Sequence, residues 1–201
     1  QHLRRDSLSY SIVLKALAEQ SSRSPDVARQ AHSIWKKMVS VDESRQHVRP
    51  HRQHYGWVMV AWSRSRDRQS AQYCQEVFDR LQEESRENPS MKPDVVHYST
   101  LITALGWRND PAAVRKVQSI FQGMKAVGIE PDLAAYAAIL ATMARTQSLE
   151  GAQRALFLLN ELEELSKEPG KEDLCPNLAC YTSVIYAWAR SGSPEASTQC
   201  S

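Results

Sequence analysis

The stretch Pro93-Asp94-Val95-Val96-His97-Tyr98-Ser99-Thr100-Leu101-Ile102 sets the register of the whole chain. Its proline and tyrosine recur five residues apart as Pro50/Tyr55, Pro131/Tyr136 and Pro176/Tyr181. The gap is constant although successive tyrosines lie 43, 38 and 45 residues apart. Tyr10 stands 45 residues before Tyr55 and carries the same downstream pattern without its proline. Self-similarity at this period marks a repeat architecture. Repeats of this kind stack into a continuous array that binds along its length, so function becomes a question about a surface.

Counting forward from each tyrosine, apolar residues fall at +3, +4 and +7: Val13, Leu14, Leu17; Val58, Met59, Trp62; Leu101, Ile102, Leu105; Ile139, Leu140, Met143; Val184, Ile185, Trp188. With the tyrosine they form one face of a helix. Position +6 is small in every copy (Ala16, Ala61, Ala104, Thr142, Ala187), which lets a neighbouring helix approach. A second helix follows with its own recurring slots: Ala28, Ala31, Ile34, Trp35, Met38; Ala71, Cys74, Val77, Phe78, Leu81; Val114, Val117, Ile120, Phe121, Met124; Ala152, Ala155, Leu158, Leu159, Leu162. The slots run from small to bulky in most copies, which unrelated amphipathic helices would not share. Ser24-Pro25-Asp26, Asp110-Pro111 and Ser193-Pro194 put a capping side chain beside a first-turn proline between paired helices. The polar segment 166–173 reads as a surface loop or helix extension. The expected fold is all-α, a right-handed solenoid of antiparallel helix pairs. Its expected divisions are 1–6, closing an earlier repeat, then 7–51, 52–94, 95–132, 133–177 and a truncated 178–201.

Composition agrees with a helical stack. Seven glycines and three phenylalanines in 201 residues are few. The net charge of +2 leaves no polybasic tail, so any anionic partner must be held by local arrangement. No apolar run reaches the roughly 18 residues of a membrane span. The chain opens inside a repeat and stops as another helix begins, so it reads as part of a longer array. It shows no phosphate loop, nucleophile motif or paired catalytic carboxylates. It is therefore read as a non-enzyme with no cofactor and no small-molecule substrate.

The run from Val95 to Ile102, followed by Ile120-Phe121-Gln122-Gly123-Met124-Lys125-Ala126-Val127-Gly128-Ile129-Glu130-Pro131-Asp132, resembles the pentatricopeptide repeat family. It follows that family's Val-Val-Thr-Tyr-Asn-Thr-Leu-Ile opening and its Leu-Phe-x-x-Met-Lys-x-x-Gly-Ile-x-Pro-Asp close. The resemblance covers nearly the whole chain as four repeats and the start of a fifth, each longer than the family's usual length of about 35 residues. Tetratricopeptide repeats are the nearest rival, but their Trp-x-x-Leu-Gly-x-x-Tyr opening is absent.

The resemblance implies single-stranded RNA binding, one nucleotide per repeat, along the face lined by first helices. It assigns base reading to the residue after each tyrosine and the residue after the closing proline. Here these are Ser11 with His51, Gly56 with Asp94, Ser99 with Asp132, and Ala137 with Asn177, while Thr182 opens a fifth pair. It assigns the base sandwich to position −2: Leu8, Gln53, Val96, Ala134 and Ala179. It implies phosphate contacts from Arg64, Arg145 and Arg190 at +9, a pattern that Glu19 and Trp107 break. At about 100° per residue, +1, −2 and +9 all lie off the packed face. Ser99 with Asp132 matches the pairing that favours guanine. Gly56 and Ala137 have no hydrogen-bonding side chain and should read weakly, and His51 is outside the usual set.

Plainer readings stand beside these. Asp94, Asp132 and Asn177 precede first helices, where they cap amides whether or not RNA is near. The +9 arginines are equally solvated helix ends. Trp35, Trp62 and Trp188 fill core slots, whereas Trp57 and Trp107 fall outside them and suit exposed contacts. His47, His51 and His54 straddle Pro50 without an acidic ligand or nearby cysteine, so no metal site is read there. Four scattered cysteines make no disulfide framework and suit a reducing compartment. Two functions remain open. One is an RNA-binding adaptor of a mitochondrion or plastid, acting in transcript processing, stability, editing or translation. The other is a protein-interaction scaffold, such as a structural subunit of an organellar ribonucleoprotein.

Overall fold

The structure, a computed structural model, describes residues 7–22, 24–40, 49–106 and 112–192. Among these residues every regular element is a helix: α1 (Ser7–Gln20), α2 (Pro25–Val39), α3 (Arg52–Ser65), α4 (Ser70–Glu87), α5 (Val95–Leu105), α6 (Ala112–Ala126), α7 (Leu133–Arg145), α8 (Leu149–Ser166) and α9 (Leu178–Arg190). Two single-turn 3-10 helices, Pro89–Met91 and Glu172–Leu174, lie on the return segments after α4 and α8. The all-α expectation is met. The chain divides into two units, Gln1–Ala104 and Leu105–Ser201. In the first, α3 packs on α1, α2 and α4; in the second, α7 packs on α6, α8 and α9, and α8 packs on α9. Within the first unit α1 and α3 thus lie side by side with α2 seated against both, and within the second α7 and α9 lie side by side with α8 seated against both.

Local chemistry sets the helix ends. Ser24 caps α2 by accepting from the Asp26 amide at 3.2 Å, and Pro25 fills the first turn. Ser148 caps α8 by accepting from the Gly151 amide at 3.0 Å. The other two Pro-containing breaks lie outside the described residues. α6 closes in a Schellman turn: the Ile129 amide donates to the Met124 carbonyl at 3.1 Å and Gly128 to Lys125 at 3.0 Å, with Gly128 at φ 75. Three first helices end differently, in a left-handed residue eleven after the tyrosine: Arg66 (φ 54), Gln147 (φ 51) and Gly192 (φ 69). Only Gly192 has the residue type that marks such a position in a sequence.

The tyrosine register is structural. Tyr55, Tyr98 and Tyr136 are all buried. Each meets the bulky slot of the preceding second helix edge to face: Trp35–Tyr55 at 5.6 Å and 76°, Phe78–Tyr98 at 4.9 Å and 74°, Phe121–Tyr136 at 5.3 Å and 73°. Three copies of one geometry follow from three copies of one spacing, and such pairs are stabilised by the ring quadrupoles beyond their buried area. In the fourth copy the slot holds Leu159, and Tyr181 is half exposed, its hydroxyl donating to Glu163 Oε1 at 2.8 Å. Most second-helix slots are buried as expected, and Trp35, Trp62 and Trp188 are core. Val13 and Ile185 were expected in the core but are 45% and 50% exposed. They sit on α1 and α9, where among the described residues no helix packs over that side.

Candidate nucleic-acid interface

Position −2 faces solvent in every first helix. Leu8, Gln53, Val96, Ala134 and Ala179 are all exposed, with Leu8 at 67% and Val96 at 53%. Two turns of buried tyrosine, +3 and +4 residues hold the opposite side of α3 and α7, so burial on one face dictates exposure on the other. Apolar side chains standing open at this register suit flat apolar partners. The +1 residues sit at the border: Ser11, Gly56, Ser99 and Ala137 are half-buried and Thr182 is exposed.

The closing-proline residues are helix caps. Asp132 accepts from the Ala135 amide through Oδ1 at 2.7 Å at the start of α7, and Asn177 accepts from the Cys180 amide at 3.2 Å at the start of α9. Both residues are exposed; capping uses Asp132 Oδ1 and leaves Oδ2, whereas in Asn177 it uses the one side-chain oxygen and leaves the amide NH2. Asp94 is more heavily used. Its Oδ1 accepts from the Val96 amide (3.1 Å), the His97 amide (3.3 Å) and the His97 ring (Nδ1, 2.6 Å), while Oδ2 lies 3.6 Å from the Arg52 guanidinium. Partial burial pushes its carboxyl up, but His97 and its bonds outweigh this and leave it below the usual carboxylate range. His51 precedes α3 in a reciprocal capping box with His54, and the two rings lie 5.8 Å apart.

The sequence reading weighed His54 only as a metal ligand and gave His97 no role. Both stand one residue before a tyrosine, and both are buried, at 0% and 4% exposure. His54 Nδ1 accepts from the His51 amide at 2.8 Å, which fixes the proton on Nε2. Nε2 then lies 3.1 Å from the Ser7 carbonyl and 2.8 Å from Ser11 Oγ. Burial keeps this ring below the usual histidine range, against the raising effect of the Ser7 carbonyl. His97 Nε2 lies 3.3 Å from the Arg52 carbonyl, and Arg52 stands three before Tyr55 as Ser7 stands three before Tyr10. The sequence signal was a histidine in the same slot of two consecutive repeats.

The +9 arginines occupy the last turns of α3, α7 and α9. Arg64 is exposed and reaches the Ala18 carbonyl at 3.5 Å. Arg145 is half-buried. Arg190 lies over the Tyr186 ring at 5.1 Å and bonds that tyrosine's hydroxyl. Ser99 Oγ donates to the Val96 carbonyl at 3.1 Å, and Thr182 Oγ1 donates to Leu178 at 2.8 Å. Trp57 is half-buried with the Lys15 ammonium 5.9 Å from its ring, less open than expected, while His47 and Trp107 lie outside the described residues. No helix among the described residues is long and apolar enough to cross a membrane.

Sequence comparison adds one finding from known families. No curated protein matches the chain. Residues 81–146 match the family model of the pentatricopeptide repeat domain. That span runs from the last core slot of α4 through α5 and α6 to the end of α7, so Tyr98, Ser99, Asp132 and Tyr136 all lie within the segment that is similar to the family.

Proposed function

We propose that this chain binds single-stranded RNA along its first helices, one nucleotide per repeat, and serves RNA metabolism in a mitochondrion or plastid. The observation that carries the reading is the common exposure of position −2 in all five first helices, with an arginine in the last turn of three of them. Apolar or small exposed side chains can sandwich a base, and a cation one helix length away attracts the backbone without reading sequence. The repeats are taken as 7–51, 52–94, 95–132, 133–177 and 178–201, each of the first four holding one helix pair. Ser99 with Asp132 is the pair assigned to guanine, since a hydroxyl and a carboxylate together meet donors on that base's edge. Ala137 with Asn177 and Thr182 contribute less, Ala137 having no polar side chain. The organellar setting, and the step among processing, stability, editing and translation, rest on the family resemblance.

The reading is tested by replacing Arg64, Arg145 and Arg190 together with alanine and following single-stranded RNA affinity against salt. Each lost phosphate contact lowers the slope of log affinity on log salt by about 0.7. A second reading, a protein-interaction scaffold, draws on Gly56 and Ala137, where no side chain is present to read a base. It takes over if the triple variant binds RNA as the parent does.

A further inference from the structure

We propose that His54 and His97 are positioning residues that decide what the preceding repeat can present to an RNA base, and that they make repeats 1 and 2 indifferent to base identity. The inference rests on the RNA reading above. Each histidine is wedged between both members of the preceding repeat's assigned pair. His54 touches Ser11 through Nε2 at 2.8 Å and the His51 amide through Nδ1 at 2.8 Å. His97 takes Asp94 Oδ1 through Nδ1 at 2.6 Å, and its Nε2 lies 3.4 Å from where a side chain on Gly56 would begin.

The hydrogen-bond inventory shows the consequence. With the proton on His54 Nε2, that N–H is shared between Ser11 Oγ at 2.8 Å and the Ser7 carbonyl at 3.1 Å, while the Ser11 hydroxyl itself donates to the Ser7 carbonyl at 3.0 Å. The donor and one of two acceptor sites are used, and the rotor is pinned. The exposed His51 ring lies stacked 5.8 Å from the His54 ring. In repeat 2 there is no +1 side chain, and three N–H groups already converge on Asp94 Oδ1, leaving Oδ2 beside Arg52. Repeat 3 has no such wedge: the residue before Tyr136 is Ala135. Base selection therefore concentrates on Ser99 and Asp132. Because both histidines are buried between first helices, they act through these pairs and not by touching RNA.

The test uses the whole chain and a pool of short randomised single-stranded RNAs, sequenced before and after selection. Ser11→Ala is expected to leave the nucleotide preferences unchanged, since His54 already withholds the hydroxyl. His54→Ala is expected to create a preference of roughly twofold to tenfold at one position, the worth of one freed hydrogen bond. Adding Ser11→Ala to it should erase that preference. His54→Gln keeps an N–H donor in place of Nε2 and should restore parental behaviour, which a purely packing role would not predict. A shifted preference in Ser11→Ala overturns the inference even if His54→Ala fails to fold, and so does a folded His54→Ala whose preferences match the parent. If the parent enriches no RNA, it is the RNA reading that falls, and this inference falls with it.

Discussion

Phe121→Ala empties the slot on which the repeat geometry depends. The ring is 5% exposed, stands edge to face with Tyr136 at 5.3 Å, and carries the Lys125 ammonium 4.5 Å from its centroid. Losing a fully buried phenylalanine and leaving its cavity costs about 3–5 kcal/mol. Phe121→Leu refills most of the volume and forfeits chiefly the ring–ring geometry, about 0.5–1.5 kcal/mol. Pairing Phe121→Leu with Tyr136→Leu in a double-mutant cycle should return a coupling energy of that same size. Urea unfolding followed by circular dichroism gives the midpoints, and an unchanged slope shows that the change is in stability and not in the surface exposed. Phe78→Ala should behave alike, since Phe78 meets Tyr98 at nearly the same distance and angle. A loss below about 1 kcal/mol for Phe121→Ala would mean the slot is not core and would refute the argument from recurring spacing.

Acid should destabilise the fold well before its carboxylates protonate. Burial lowers His32 to about 4, partly opposed by Glu76, and its Nδ1 accepts from the Trp62 indole at 3.1 Å. Since the unfolded chain takes up the proton near pH 6.5, this site's stability is complete above that pH and is lost as pH falls from about 6.5 towards 4. His54 shifts in the same direction. Melting temperature against pH should slope in that window and flatten in His32→Gln; an equal slope in the variant would remove His32 from the account. Asp132→Ala should cost about 1 kcal/mol with or without RNA because it removes a cap. Asp132→Asn keeps an acceptor for the Ala135 amide, so it should retain stability yet change preference at one nucleotide; unchanged preference would make Asp132 a cap alone.

The fold was legible in the sequence because its cause is local and periodic. The spacing of Tyr55, Tyr98 and Tyr136 and their second-helix slots is enough to place each edge-to-face pair. The exposure of position −2 follows from the same helical wheel. Other features were hidden because they depend on partners distant in sequence or on unusual residue types. The contact of Ser11 with His54 spans 43 residues, and the −1 slot holds Ser, His, His, Ala and Cys in turn, so nothing in one repeat announces it. The left-handed ends at Arg66 and Gln147 carry residues that tolerate the conformation without advertising it. Val13 and Ile185 satisfy the core pattern and still face outward, because burial needs a neighbour and the pattern records only a face.

The central claim is that the first-helix face binds RNA backbone through Arg64, Arg145 and Arg190, and its most direct test is the salt dependence of single-stranded RNA affinity in the parent and the triple alanine variant. The account predicts weaker binding of the variant to every sequence, with the slope of log affinity on log salt reduced by about 0.7 for each arginine that contacts a phosphate. Parallel lines of equal affinity would contradict it.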